Sequence, residues 1–321
     1  MIKEQLPFED VKKKIEEAKS VTILSHLNPD ADTLGTSLGI YALLTKDKNK
    51  KVEVVNASNA LPNHLDFLPH FKKIKYKMDY TDSLIIACDC GSIDRLGFDL
   101  DGRDIINIDH HQSNTMYGNI NVIMAGYASA SQVAYALFEK LYDVDTDVAT
   151  CFYAALLSDT RYFTTSSVNE EVFTVAQALV SKGAIPEKIA YHFTQRRPLS
   201  SMRILEKALA SLGLFHEAQV ATLFVTKADI ATSGATVSDM EGIVDYARSL
   251  VTVEVALFAM ELDDGVRISL RSKKVDVSRV ALAFGGGGHK VAAGFTLKQC
   301  GLQQSIDTIL DKIEELGLID G

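Results

Sequence analysis

Over the first 185 residues, short β-branched runs alternate with longer stretches of helical spacing. Four runs, 21–25, 52–55, 84–88 and 105–108, read as strands, apolar enough to be buried on both faces of a parallel sheet. Helical spacing predicts helices over 33–44, 128–142, 147–157 and 170–181, and another after Pro186. Pro7 opens an earlier amphipathic helix that runs to about residue 19, with Phe8, Val11 and Ile15 on one side. Gly35 and Gly39 predict that the 33–44 helix lets its backbone approach another element closely. This βα alternation predicts an α/β fold built on a doubly wound, mainly parallel sheet. Gln195-Arg196-Arg197-Pro198 breaks the pattern, and a helical stretch over 202–212 follows. Beyond it, 218–225, 252–262 and 266–271 alternate in the manner of strands, the last two joined by a hairpin turn at Asp263-Asp264-Gly265. Residues 277–284 and 302–316 read as helices on either side of a run of four glycines, 285–288. The expected division is a domain over 1–185, a helical linker over 186–212 and a smaller α/β domain over 213–321.

With 321 residues, 47% of them hydrophobic, the chain has material for two cores. A formal net charge of -9 argues against a broad basic face that coats long duplex nucleic acid. It leaves room for a small anion at a local basic patch and for metal ions among acids. Cys88, Cys90, Cys151 and Cys300 lack the paired spacing of a zinc site and are expected as free thiols. Met1-Ile2-Lys3-Glu4-Gln5-Leu6 lacks the apolar stretch of a signal peptide, and no apolar run is long enough to span a bilayer. A cytoplasmic protein without a membrane partner is the expectation; the oligomeric state is left open.

Three of the predicted strands end in acidic or imidazole side chains. His26-Leu27-Asn28-Pro29-Asp30-Ala31-Asp32 follows the first, Asp89 the third and Asp109-His110-His111 the fourth. Carboxyl ends of parallel strands converge on one crevice, where ligands bind. Carboxylates and imidazoles gathered there suit Mn²⁺ or Mg²⁺. A further acid, Asp159, stands where the fourth-motif helix runs out. Each motif taken singly is common without a metal. Together they would repel and desolvate one another at a cost of several kcal/mol unless cations were present.

In the second half, four glycines let backbone N–H groups approach an anion. His289 and Lys290 follow at once, with Arg267, Arg271, Lys273, Lys274 and Arg279 near in sequence. Arg271 and His289 are the candidates for gripping a phosphate; a tight turn with solvated charges is the competing reading of the glycines alone. Phe152, Tyr153 and Phe163 read as core rather than as a platform for a base, and His64, His70, His192 and His216 as surface or structural residues. Arg196 and Arg197 read as surface charge, and Ser113 and Asn114 as braces that hydrogen-bond the loop backbone.

The four N-terminal motifs resemble those of the DHH phosphoesterase superfamily, named for the triplet found here as Asp109-His110-His111. Arg271-Ser272-Lys273-Lys274, Gly285-Gly286-Gly287-Gly288-His289 and Ala292-Ala293-Gly294-Phe295 resemble its DHH-associated second domain. The resemblance implies two Mn²⁺ ions, one held by His26, Asp30 and Asp89 and the other by Asp32, Asp89, His110 and Asp159, with Asp89 bridging. It places the catalytic roles on His111, which faces the scissile phosphate, on Asp109, which supports the histidine pair, and on Asp89. Arg271, Gly286, Gly287, Gly288 and His289 would hold the substrate. Within the superfamily the layout is most similar to nanoRNA-degrading oligoribonucleases that also dephosphorylate adenosine 3′,5′-bisphosphate. The implied partners are therefore short RNA oligonucleotides, dinucleotides or a nucleoside bisphosphate. Enzymes that cleave cyclic dinucleotides or their linear products are the first alternative, and a non-catalytic nucleotide-binding scaffold is the second. Two positions depart from the family pattern: Arg161 stands where glycine commonly follows Asp159-Thr160, and Ala31 where glycine often separates Asp30 from Asp32.

Overall fold

The βα alternation builds a six-stranded, wholly parallel sheet. The computed structural model describes residues 6–319, so the part of the opening segment before Leu6 lies outside the described residues. The chain forms two compact units, 1–196 and 197–321. In chain order the first unit comprises α1 (Phe8–Glu17), β1 (Ser20–Ser25), α2 (Ala31–Leu44), β2 (Lys51–Val55), β3 (Ile74–Lys75), β4 (Leu84–Cys88), β5 (Ile105–Asp109), β6 (Ile120–Ile123), α3 (Ala130–Phe138), α4 (Thr146–Asp159), α5 (Glu170–Ser181) and α6 (Pro186–Thr194). The expected 128–142 helix is shorter, because the Ser129 side chain accepts from Gln132 N and caps it. The two edge strands, β3 and β6, were not expected; they are short and carry Lys75 and Asn121 among their apolar residues.

The strand order is β3-β2-β1-β4-β5-β6, so the chain winds outward in one direction from β1 and in the other from β4. The order reverses between β1 and β4, and that switch point opens the crevice beyond their carboxyl ends. Side chains alternate across the sheet. Ile23, Ile86, Ile106 and Ile108 join the large core with α2, α3 and α4, while Leu24, Val55, Ile85, Ala87 and Ile105 form a smaller cluster with Leu96 and Leu100. Cys88 falls in the first cluster and Cys90 in the second, and all four cysteines are free. Among the described residues no helix is long and apolar enough to cross a membrane.

α2 packs against α4 through its glycines. A Cβ on Gly35 would lie 2.6 Å from Cys151 O, and one on Gly39 would lie 2.3 Å from Phe152 Cε1. Gly35→Ala gains helix propensity worth about 1 kcal/mol but meets a backbone oxygen that cannot move aside. Overpacking of this kind costs about 1–3 kcal/mol. The expected result is a net loss of stability in urea unfolding together with weaker binding of divalent cations, since α2 and α4 carry Asp32 and Asp159.

The second unit comprises α7 (Leu199–Ala210), β7 (Gly213–Phe215), β8 (Val220–Val225), α8 (Lys227–Ser233), α9 (Ile243–Arg248), β9 (Val255–Leu262), β10 (Gly265–Ser272), α10 (Ser278–Ala283), β11 (Gly287–His289), β12 (Ala292–Lys298) and α11 (Leu302–Glu315). Its sheet, ordered β11-β12-β10-β9-β8-β7, is antiparallel except where β8 lies parallel to β9. α8 and α9, unpredicted, make the crossover that a parallel pair requires. Along β9, Val255, Leu257 and Ala259 face a core shared with α11, and Ala256, Phe258 and Met260 face one shared with α7 and α9. The segment 186–212 thus holds two helices: Ile189 of α6 lies in the core of the first unit, and Ile204, Leu205 and Ala208 of α7 lie in the second.

Candidate metal centre

The crevice at the switch point collects every acid and imidazole that the N-terminal motifs nominated. His26 leaves β1, Asp89 leaves β4 and Asp109 ends β5. Asp30 caps α2, its Oδ1 accepting from Thr33 N at 3.0 Å, which puts Asp32 in the first helical turn. Asp32 is buried and is itself bound at the start of α3, where Ala130 N donates to Oδ2 at 2.7 Å and Ser131 N to Oδ1 at 3.2 Å. Asp159 closes α4, the end of a helix whose dipole disfavours a negative charge.

Both imidazoles are oriented by their backbone partners. His26 Nδ1 lies 2.9 Å from Leu27 O and His110 Nδ1 lies 3.2 Å from Tyr127 O. Carbonyls only accept, so each Nδ1 carries a proton and each Nε2 is the nitrogen that faces the cluster. His26 Nε2 lies 3.6 Å from Asp89 Oδ2 and 3.9 Å from Asp30 Oδ2. His110 Nε2 lies 3.6 Å from Asp89 Oδ1, 3.6 Å from Asp159 Oδ2 and 3.8 Å from Asp32 Oδ2. The two oxygens of Asp89 thus face different histidines.

These separations are too long for hydrogen bonds, yet shorter than the roughly 4.2 Å that two ligands of one ion can span at bond lengths near 2.1 Å. Ligand atoms of His26, Asp30 and Asp89 lie within 4.8 Å of one another, as do those of Asp32, His110 and Asp159. Asp89 Oδ1 is buried with no hydrogen-bond partner. Asp89 also holds a left-handed φ of 53°, a conformation that costs a non-glycine residue about 1–2 kcal/mol. An orphaned carboxylate oxygen on a strained residue that stands between two imidazole Nε2 atoms fits a pair of divalent cations.

The electrostatics agree. Burial, with Asp32 and Asp30 close by, pushes the Asp89 carboxyl well above the usual range. Burial raises Asp32 as well, and burial with Asp32 pushes Asp159 up to about 7. Burial works against a charge on His110, but Asp32, Asp89 and Asp159 outweigh it and push the imidazole up to about 9. Asp109 goes the other way. Burial would raise it, but hydrogen bonds and charge from His111, with Asn114 and the His110 N–H, hold it below the usual range. His111 Nδ1 lies 2.6 Å from Asp109 Oδ1.

The nominees of the second unit lie on or beside its sheet. Arg271 lies on β10 and donates Nη1 to Leu270 O at 2.9 Å, and Gly287, Gly288 and His289 form the edge strand β11, paired with β12. Close packing of the backbone also requires glycine at two positions of the run. A Cβ on Gly286 would lie 2.4 Å from Gly294 O, and Gly288 has a φ of 141° with a Cβ position 2.4 Å from Ala292 O; only Gly287 has both room and an unstrained φ. Phe152 and Tyr153 are core, as expected. Arg196 forms a two-pronged ion pair with Asp66, at 2.7 and 3.3 Å. The sequence reading passed over Tyr162. It is 44% exposed three residues after Asp159, in a turn where Arg161, Tyr162 and Phe163 all take positive φ. The substitution of Arg161 for the family's usual glycine was the available signal for that turn.

The model of the DHH family's N-terminal domain matches residues 20–156, and that of the DHHA1 domain matches 217–316. The bifunctional oligoribonuclease and PAP phosphatase NrnA of Thermus thermophilus is 30% identical over 303 residues, spanning 92% of this chain and 89% of that protein. The protein of the same description from Bacillus subtilis is 23% identical, spanning 92% and 94%. The crystal structure of an exopolyphosphatase-related protein from Bacteroides fragilis superposes with a TM-score of 0.87 at 25% identity, over 96% of each chain.

Proposed function

The chain belongs to the DHH family, and from that membership we propose a manganese-dependent phosphoesterase that hydrolyses short oligoribonucleotides to mononucleotides and removes a phosphate from adenosine 3′,5′-bisphosphate. The observation that carries the reading is Asp89, buried, with one oxygen 3.6 Å from His26 Nε2 and the other 3.6 Å from His110 Nε2. His26, Asp30 and Asp89 would hold one cation, and Asp32, Asp89, His110 and Asp159 the other. Bound there, the pair supplies Lewis acidity towards the phosphoryl oxygens and the nucleophile.

The rest is the work of side chains. Water attacks phosphorus and the bond to the leaving oxygen breaks; His111 Nε2 gives its proton to that oxygen, and the proton of the water passes to solvent. Asp109, held ionised, keeps the His111 ring in place through Nδ1. In the second unit we assign phosphate binding to Arg271, Gly286, Gly287, Gly288 and His289. Four free cysteines suit a reducing cytoplasm.

The test is product analysis of the manganese-loaded protein on a 5′-phosphorylated RNA dinucleotide, with adenosine bisphosphate and a cyclic dinucleotide alongside. Mononucleotides are expected, formed faster than the cycle opens. Preferential opening of the cyclic compound would replace the substrate assignment. Inertness to all three would leave a nucleotide-binding scaffold.

A further inference from the structure

Asn114 lies five positions beyond Asp109, in the loop between β5 and β6. Its amide is oriented by partners of fixed sense. The backbone N–H of Met116 donates to Oδ1 at 2.8 Å, so the other terminus is the nitrogen. Nδ2 then donates to Cys90 O at 3.1 Å and to Asp109 Oδ2 at 2.6 Å. Asp109 is fully buried, and its other oxygen accepts from His110 N at 2.7 Å, His111 N at 3.2 Å and His111 Nδ1 at 2.6 Å. Behind Asn114 stands Asn107, also fully buried, whose Nδ2 donates to Asn114 Oδ1 at 3.0 Å and to Asn121 Oδ1 at 3.2 Å. Asn121 is anchored in turn by Nδ2, which donates to Gly118 O at 2.7 Å.

A carboxylate fixed at one oxygen pivots about its last torsion; one fixed at both does not. Asn114 supplies the second anchor, and through Cys90 O it ties the turn after Asp89 to the end of β5. We infer that Asn114 is a positioning residue: it locks the Asp109 carboxylate and, through it, the ring of His111 against the leaving oxygen. The inference rests on the phosphoesterase reading above. Supporting residues that hold a reacting group's rotamer typically matter as much as a missing hydrogen bond to the group itself.

The test compares Asn114→Ala and Asn114→Asp with the unaltered protein on two diesters, an RNA dinucleotide and a nucleotide p-nitrophenyl ester. The ribose alkoxide needs a proton to leave, whereas nitrophenolate does not. Asn114→Ala is expected to lower kcat on the dinucleotide about 10²-fold with KM within about twofold, and kcat on the nitrophenyl ester by less than about threefold. Asn114→Asp, which sets an anionic oxygen against Asp109 Oδ2, is expected to lose more on the dinucleotide. A readout independent of turnover is the ¹H NMR signal of His111 Nδ1–H in the metal-free protein. The 2.6 Å bond to Asp109 places it far downfield, and Asn114→Ala should move it upfield. Asn114→Ser serves if the alanine variant does not fold. Equal losses on both esters, or an unmoved proton signal, would overturn the inference. If the unaltered protein cleaves neither ester the phosphoesterase reading fails, and the proton signal still decides whether Asn114 positions His111.

Discussion

Asp89→Asn removes turnover of a dinucleotide, lowering kcat by about 10³-fold or more, and at the same time raises the melting temperature of the metal-free protein at pH 8. The two effects share one cause. Asp89 is buried, its Oδ1 has no hydrogen-bond partner, and Asp32 and Asp30 stand nearby. Its carboxyl is raised well above the usual range, so in the folded protein ionisation is unfavourable. Such a group contributes stability at low pH that is lost as pH rises through the folded-state value. An amide of the same shape never ionises and escapes that loss. It also fails to offer an anionic oxygen to each of two cations. Steady-state kinetics with saturating Mn²⁺ and calorimetric melting in chelator check the pair. A variant with undiminished kcat would remove Asp89 from the centre, and one that melts lower without metal would contradict the electrostatic account.

Much of this centre was legible because its residues stand at the ends of short apolar runs. β4 ends at Cys88 as the run does, and the reading that places Asp89 beyond it needs only the length of that run. The helix bearing Asp159 was legible through the same kind of boundary. The facing of particular atoms was not. That Asp89 turns one oxygen to His26 and the other to His110 depends on the pairing of β1 with β4, Ser25 opposite Cys88, and of β4 with β5, Cys88 opposite Ile108. Those contacts join segments about 60 and 20 positions apart, and no local pattern encodes them. α8 and α9, of 7 and 6 residues, are too short for a period of 3.6 to show. Thr226-x-x-Asp229 at the start of α8 is nevertheless a capping box. The glycine run carries two readings at once. Glycine reports equally a backbone that must approach a ligand and one that must approach Gly294 O, and only the folded sheet separates the two.

The metal-free protein loses stability as pH rises from 6 to 9, and divalent cations abolish that loss. Asp159 is pushed up to about 7 and His110 up to about 9, and Asp32 and Asp89 are raised as well. Across this window the folded state therefore binds more protons than the unfolded one, and stability falls with pH. Asp109, held below the usual range, has the opposite sign, but its contribution is lost only in acid, outside the window. Cations displace the extra protons, so their apparent affinity rises with pH by about one decade per pH unit for each proton released. Melting temperatures in chelator and in Mn²⁺ at pH 6, 7.5 and 9 test the first part. Calorimetric titration in buffers of different ionisation enthalpy counts the protons. A metal-free protein that gains stability from pH 6 to 9, or binding without proton release, would sink the account. The donor set also bears on which cation does this best. Each triad includes one imidazole, His26 or His110, among carboxylates, and Mg²⁺ favours an all-oxygen octahedron that keeps several waters. Mn²⁺ accepts the mixed set, so at equal concentration it should raise the melting temperature further than Mg²⁺.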